Sequence, residues 1–227
     1  MTAKETPTLR PRTMLVRGGL ERSPFMETSE ALYLTSGYVY ETAEEAEAAF
    51  KGDVDRYIYS RYGNPTVAMF EERLRLFEGA EFCRGMASGM AAVYAALACQ
   101  LKTGDRVVAS RALFGSCHYI ITEILPRYGV ETVLVDGTNL DEWEVALAPG
   151  AQCIFLETPS NPTLEIIDLK AVSDLAHAAG ANVIVDNVFA TPVLQRPLEF
   201  GADIVIYSTT KHIDGQGRCM GGAILGS

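Results

Sequence analysis

Asp203-Ile204-Val205-Ile206-Tyr207-Ser208-Thr209-Thr210-Lys211-His212 begins as an apolar, β-branched run and ends on a lysine. A short apolar run bounded by polar residues reads as a strand buried on both faces, the usual state of a parallel strand. Lys211 then lies at the strand's carboxyl end, the rim where open α/β sheets bind ligands. An earlier run, Ala181-Asn182-Val183-Ile184-Val185, ends the same way in Asp186.

Outward from these two segments the chain alternates between strand-like and helical periods. Strands are predicted over Glu81–Met86, Arg106–Ser110, Glu131–Asp136, Gln152–Glu157, Asn182–Asp186, Asp203–Tyr207 and Gly221–Leu225. Helices are predicted over Val67–Phe77, Gly89–Leu101, Ser116–Arg127, Leu140–Leu147 and Leu169–Ala179, with Gly79, Gly104-Asp105 and Gly180 at the joins. This alternation predicts an α/β fold: a mostly parallel seven-stranded sheet, right-handed crossovers and helices on both faces. Residues 1–64 lack the alternation. They carry Gly18-Gly19, one candidate helix over Glu41–Phe50 and the cluster Tyr57, Tyr59 and Tyr62, and read as an N-terminal arm packing on a neighbour. Residues 65–227 read as the main domain.

The 227 residues, 48% hydrophobic and 21% charged, suffice for a sizeable core. A net charge of -10 argues against a nucleic-acid partner, because a phosphate backbone needs a basic face. The five cysteines show no metal-ligand or C-x-x-C spacing and read as reduced thiols, mostly in the core. No run is long enough for a membrane span, and Met1–Arg17 lacks the apolar core of a secretory signal. The expectation is a cytoplasmic protein without metal.

Four segments place polar groups just after predicted strands. Lys211 and Asp186 are what a pyridoxal phosphate (PLP) site requires: an amine for a Schiff base with the aldehyde, and a carboxylate to hold a proton on the ring nitrogen. Met86-Ala87-Ser88-Gly89-Met90 opens a helix, where small residues leave N–H groups free for a phosphate; Ser88 taken singly is an N-cap. Phe114, in Ala112-Leu113-Phe114-Gly115-Ser116, offers an aromatic face to a cofactor ring or fills a core. Asn161, between Pro159 and Pro162, donates to the cofactor's phenolic oxygen or serves as a turn residue. Ser208 and Thr210 flank the lysine strand's end with hydroxyls for phosphate. No G-x-G-x-x-G fingerprint follows the first strand.

Tyr59-Ser60-Arg61-Tyr62-Gly63-Asn64-Pro65-Thr66, Ala87-Ser88-Gly89-Met90, Glu157-Thr158-Pro159-Ser160-Asn161-Pro162, Val185-Asp186-Asn187 and Ser208-Thr209-Thr210-Lys211 together resemble the Cys/Met-metabolism PLP-dependent enzymes of fold type I, the transsulfuration group. The resemblance implies Lys211 as the cofactor-bound lysine and proton carrier, and Asp186 on the pyridinium. It implies Ser88, Gly89, Met90, Ser208 and Thr210 around the phosphate, and Phe114 and Asn161 on the ring. It also implies that Tyr59 and Arg61 reach the phosphate of a neighbouring subunit, in a homotetramer built as a dimer of dimers. Within the group, Tyr33-Leu34-Thr35-Ser36-Gly37-Tyr38, Leu113-Phe114-Gly115-Ser116 and Lys211-His212-Ile213-Asp214-Gly215-Gln216-Gly217-Arg218 resemble the members that join sulfide to O-succinylhomoserine, giving homocysteine and succinate for methionine biosynthesis. A cystathionine γ-synthase or γ-lyase reaction, and a truncated PLP-binding chain with little turnover, remain alternatives.

Three departures bear on this. Most relatives have tyrosine where this chain has Phe114, which stacks but carries no proton. The methionine-degrading lyases have cysteine in place of Ser116. Family members are nearly twice as long, with a C-terminal domain that supplies an arginine for the substrate's α-carboxylate. Its absence here predicts that the run Gly221–Leu225 faces a gap.

Overall fold

A computed structural model describes residues 9–226, so the part of the Met1–Arg17 reading on residues 1–8 lies outside the described residues. The chain divides into two compact units, with the boundary between Phe77 and Glu78. That boundary lies near the end of helix α3 (Pro65–Glu78), whereas the sequence places it just ahead of this helix.

The N-terminal unit holds α1 (Pro11–Arg17), α2 (Ala43–Lys51) and most of α3. Helix α1 lies outside the strand–helix alternation; its proline in the first turn and Arg17 in the last both suit a helix. In α2 the Thr42 hydroxyl accepts from Glu45 N–H at 3.1 Å, and Gly52 ends the helix in the left-handed region. Between the helices the backbone is tied by side chains: buried Asn64 donates to the Tyr33 carbonyl at 2.9 Å, and Arg73 donates to the Gly18 carbonyl at 2.9 Å.

The second unit is a seven-stranded sheet of β1 (Phe82–Met86), β2 (Arg106–Ser110), β3 (Glu131–Val135), β4 (Cys153–Glu157), β5 (Asn182–Asp186), β6 (Ile204–Ser208) and β7 (Gly222–Gly226), in the order β1-β7-β6-β5-β4-β2-β3. Strands β2 to β6 are mutually parallel, while β7 runs antiparallel to both β6 and β1. The expected gap beside the last apolar run is therefore corrected: β7 is an interior strand, and its Ala223 and Leu225 are fully buried.

The period of two along each strand sorts side chains to the two faces. Val107, Ala109, Phe155, Ile184 and Ile206 form one core layer with Ala92, Val93, Ala96 and Leu97 of α4 (Gly89–Ala98) and with Cys117, Ile121 and Leu125. The alternate residues Val108, Ile154, Leu156, Val183, Val185 and Val205, all fully buried, point to the face covered by α6 (Leu140–Leu147) and α7 (Leu169–Ala178). Trp143 fills that layer with its indole N–H donated to the Gly137 carbonyl at 3.0 Å. By the same period Glu157, Asp186 and Ser208 share the α4 face, at the carboxyl ends of their strands.

The single helix predicted over Ser116–Arg127 is corrected. It is α5 (Gly115–Tyr119), then a π turn over Ile120–Ile124 and a 3₁₀ turn over Leu125–Tyr128. Pro126 has no N–H to continue an α-helical ladder, and Gly129 takes φ 75°, which stops the chain there. The apolar spacing survives the change of helix type, since Cys117, Ile121 and Leu125 remain buried.

On the opposite face lies a buried polar chain. The Tyr207 hydroxyl donates to Glu78 Oε2 at 2.5 Å and accepts from Asn187 Nδ2 at 2.6 Å. Gln195 Nε2 donates in turn to Asn187 Oδ1 and to the Thr158 carbonyl, both at 2.8 Å. Burial pushes the Glu78 carboxyl up to about 7, against the pull of the Tyr207 bond. A raised folded value means that the folded chain keeps a proton which the unfolded chain releases near pH 4.5. The stability this group contributes is full below that pH and is lost as pH rises through 7. Between pH 5 and pH 8 the chain is expected to lose roughly 2–3 kcal/mol more stability than its Glu78→Gln variant. Urea denaturation at both pH values checks this, and parallel pH profiles of the two proteins contradict it.

Candidate active site

The register of the sheet brings the strand ends into a row. Glu157 pairs with Asp186, Asp186 with Ile206, and Ser208 with Gly222, which also pairs with Met86. Asp186, 6% exposed, has two donors: Val188 N–H on Oδ1 at 3.0 Å and the Cys117 thiol on Oδ2 at 3.9 Å. Burial pushes its carboxyl up to about 6, against both hydrogen bonds. Its strand neighbour Glu157 is pushed up to about 7 by burial and then by the Asp186 charge. Burial, reinforced by Asp186, also raises the Cys117 thiol well above the ordinary thiol range, so it stays a protonated donor.

Lys211 follows β6 in a turn and is exposed. Among the described residues no hydrogen bond or ion pair engages its Nζ. The turn is closed by Asp214, whose carboxylate accepts from Arg218 N–H at 2.8 Å and Gln216 N–H at 3.1 Å and is held down at about 2. Asp214 N–H in turn donates to the Thr209 carbonyl at 2.9 Å, and Gly215 N–H to the Lys211 carbonyl at 2.9 Å.

Opposite this turn stands the N-terminus of α4. Ser88 caps it by accepting from Ala91 N–H at 3.1 Å, which leaves the hydroxyl proton free to donate. The N–H groups of Gly89 and Met90 precede the helix's own ladder and lack intrahelical acceptors. A Cβ on Gly89 would stand 2.6 Å from Ser208 Cβ, so only glycine lets the helix start approach the end of β6 this closely. Gly222 is required in the same way against the Ser88 carbonyl.

The sequence matches the family described as Cys/Met metabolism PLP-dependent enzyme over residues 12–227. The chain belongs to this family. It is 61% identical over 214 residues to a Mycobacterium tuberculosis protein named O-succinylhomoserine sulfhydrylase, covering 94% of this chain and 53% of that one. It is 41% identical over 215 residues to a Porphyromonas gingivalis protein named L-methionine gamma-lyase, covering 94% of this chain and 54% of that one. Among solved structures, a Campylobacter jejuni protein containing an N'-pyridoxyl-lysine-5'-monophosphate residue superposes with a TM-score of 0.90 at 32% identity, over 96% of this chain and 54% of that one. The chain thus spans about half the length of the curated relatives it matches.

The residues present fit the PLP of this Cys/Met metabolism family. A buried carboxylate with a raised affinity for protons, facing one amide and one thiol, suits a protonated pyridine nitrogen. Free N–H groups and a serine hydroxyl at the start of a ten-residue helix suit a phosphate. Of the other expected residues, Phe114 is 41% exposed at the head of α5, and the side-chain amide of Asn161 has no partner among the described residues. The Thr210 hydroxyl both donates to the Gly221 carbonyl at 3.3 Å and accepts from Gly221 N–H at 3.1 Å, so it is already engaged. Tyr59 and Arg61 lie in the N-terminal unit, where the Arg61 guanidinium sits over the rings of Tyr59 at 5.5 Å and Tyr62 at 4.8 Å.

Residue-by-residue reading overlooked Cys117 and Glu157. Glu157 carried a signal: it is an acid closing a strand otherwise made of Cys-Ile-Phe-Leu, all of it buried. Cys117 carried none, because its link to Asp186 spans 69 residues. Among the described residues no helix is long and apolar enough to cross a membrane, and no cluster of three His, Cys, Asp or Glu side chains is placed to hold a metal ion.

Proposed function

We propose that the chain carries the reaction centre of a γ-replacement enzyme in which sulfide displaces succinate from O-succinylhomoserine, giving homocysteine. The observation that carries the reaction class is a lysine amine and a buried carboxylate that, among the described residues, have no ionic partner and stand just beyond and at the ends of adjacent strands β6 and β5. The substrate choice is supported by the 61% identity to the named sulfhydrylase against 41% to the named lyase, and by Ser116 in place of the lyases' cysteine.

PLP, when bound, supplies an aldehyde for amino groups and a ring that withdraws electrons from the substrate's Cα. Asp186 would hold the proton on the ring nitrogen, and Ser88, Gly89, Met90 and Ser208 would surround the phosphate, with Thr210 joining them once its hydroxyl turns from the Gly221 carbonyl. Phe114 would cover a ring face and Asn161 would donate to the phenolic oxygen. Lys211 Nζ would take the Cα proton and release it before taking a Cβ proton, since an amine holds one extra proton at a time, and would return a proton to each carbon after the exchange at Cγ. At Cγ the bond to the succinyl oxygen breaks and a bond to sulfur forms. Phe114 has no exchangeable proton, so proton traffic rests on Lys211. In the same reading the arm of residues 1–64 serves a neighbouring subunit: Tyr59 and Arg61, pre-set by their cation–π contact, reach its phosphate in a cytoplasmic homotetramer built as a dimer of dimers.

The test is a competition. The purified chain, loaded with PLP, is given O-succinylhomoserine with equal sulfide and cysteine, and the products are identified by mass spectrometry. Homocysteine is expected as the main product. Cystathionine instead identifies a synthase that uses cysteine, and a PLP-loaded chain that forms neither product overturns the reading.

A further inference from the structure

We propose that Glu157 is a positioning residue that sets the two loops beside the cofactor ring, one bearing Phe114 and the other Asn161. The inference rests on the site described above and adds to it a residue whose two carboxylate oxygens are both engaged by backbone N–H groups. Glu157 ends β4, a strand buried along its whole length, and is itself 3% exposed. Its Oε2 accepts from Phe114 N–H at 2.7 Å and its Oε1 from Asn161 N–H at 3.2 Å. One planar group thus fixes the backbone of both ring-facing residues, which are 47 positions apart in the chain (161 − 114).

The second loop is also held at Thr158, by Gln195 and Ile167, but among the described residues Glu157 is the acceptor for the N–H groups of Phe114 and Asn161. Phe114 starts α5 without a side-chain cap, so its N–H has no helical acceptor. In the second loop Pro159 and Pro162 have no N–H, and Ser160 N–H goes to the Glu165 carbonyl at 3.1 Å. Asn161 N–H is the donor that ties the loop back to β4. Above about pH 7, where Glu157 is ionised, its hydrogen bonds are stronger than neutral ones, and the carboxylate accepts on both oxygens at once. A glutamine accepts on one atom only and presents a donor on the other. Glu157→Gln therefore keeps the shape of the side chain and releases one loop, whereas Glu157→Ala releases both.

The experiment measures amide hydrogen exchange in the apo chain and, on the same samples, visible circular dichroism after PLP loading. In Glu157→Ala the amides of Phe114 and Asn161 are expected to exchange faster by on the order of tenfold or more. In Glu157→Gln one of the two is expected to do so. Both variants are expected to keep the absorbance of bound PLP while the dichroism of that band falls, since the ring is held in a less defined orientation. Far-UV dichroism reports folding, and the nearly isosteric Gln variant decides the matter where the Ala variant does not fold. Unchanged exchange at both amides in the folded variants overturns the proposal. So does fast exchange with undiminished visible dichroism, which makes Glu157 a structural anchor only. Absence of bound PLP in the unsubstituted chain is a separate result, which removes the site and the positioning role with it.

Discussion

Lys211→Ala is expected to lose the visible absorbance of lysine-bound PLP and to lower homocysteine formation by about 10²–10⁴-fold or more, the usual worth of a positioned acid–base group. Under the proposed function two independent roles fall together in this variant, because the same amine would bind the aldehyde and carry the substrate's protons. Lys211→Arg is expected to be no better, since a guanidinium keeps its proton at every accessible pH and serves as neither nucleophile nor base. The side chain is exposed and no bond from the described residues engages Nζ, so both variants are expected to fold with unchanged urea midpoints. Loss of activity without loss of stability separates a chemical role from a structural one. An alanine variant that retains product formation contradicts the assignment of Lys211.

Asp186→Asn is expected to move activity and stability in opposite directions. The amide retains an acceptor for Val188 N–H but carries no charge for the ring nitrogen, and turnover is expected to fall by on the order of 10²–10³. In the apo chain the same change is expected to be stabilising above neutral pH. Asp186 has a folded value near 6 against 3.8 in an ordinary environment, so its contribution is intact at low pH and lost as pH rises through 6. At pH 8 the chain therefore buries an ionised carboxylate beside Glu157, and the asparagine removes this burden. A gain on the order of 2–3 kcal/mol at pH 8, vanishing toward pH 4, follows from the size of the shift. Such a trade is characteristic of a group kept for function. If Asp186 were only a turn former holding Val188, the asparagine would show the same gain at pH 8 but would preserve activity. Denaturation of the apo protein at the two pH values, with the product assay on the loaded protein, decides between them.

The sheet was legible where strands are short apolar runs with hard boundaries. Arg106–Ser110 and Asn182–Asp186 were placed to the residue, because Gly104-Asp105 and the terminal aspartate bound them on the sides that matter. The direction of β7 was not legible, since Gly-Ala-Ile-Leu-Gly reads alike in a parallel and an antiparallel strand and only its partners decide. The break in the helix after Ser116 was legible in principle from Pro126, but apolar spacing persisted across it and concealed the change of winding.

The same division holds at the site. Lys211 and Asp186 were readable because strand-end position is itself a sequence property. The roles of Glu157 and Cys117 were not, because they consist of bonds to Phe114 and Asp186, 43 and 69 residues away. The engagement of Thr210 with Gly221 is likewise a product of the turn that follows β6.

The central claim is that Lys211 is the residue that binds the cofactor's aldehyde. The most direct measurement is borohydride reduction of the PLP-loaded chain followed by peptide mass mapping. The account predicts a pyridoxyl phosphate mass on the peptide containing Lys211. The modification found instead on Lys4, Lys51, Lys102 or Lys170, the chain's other lysines, contradicts it.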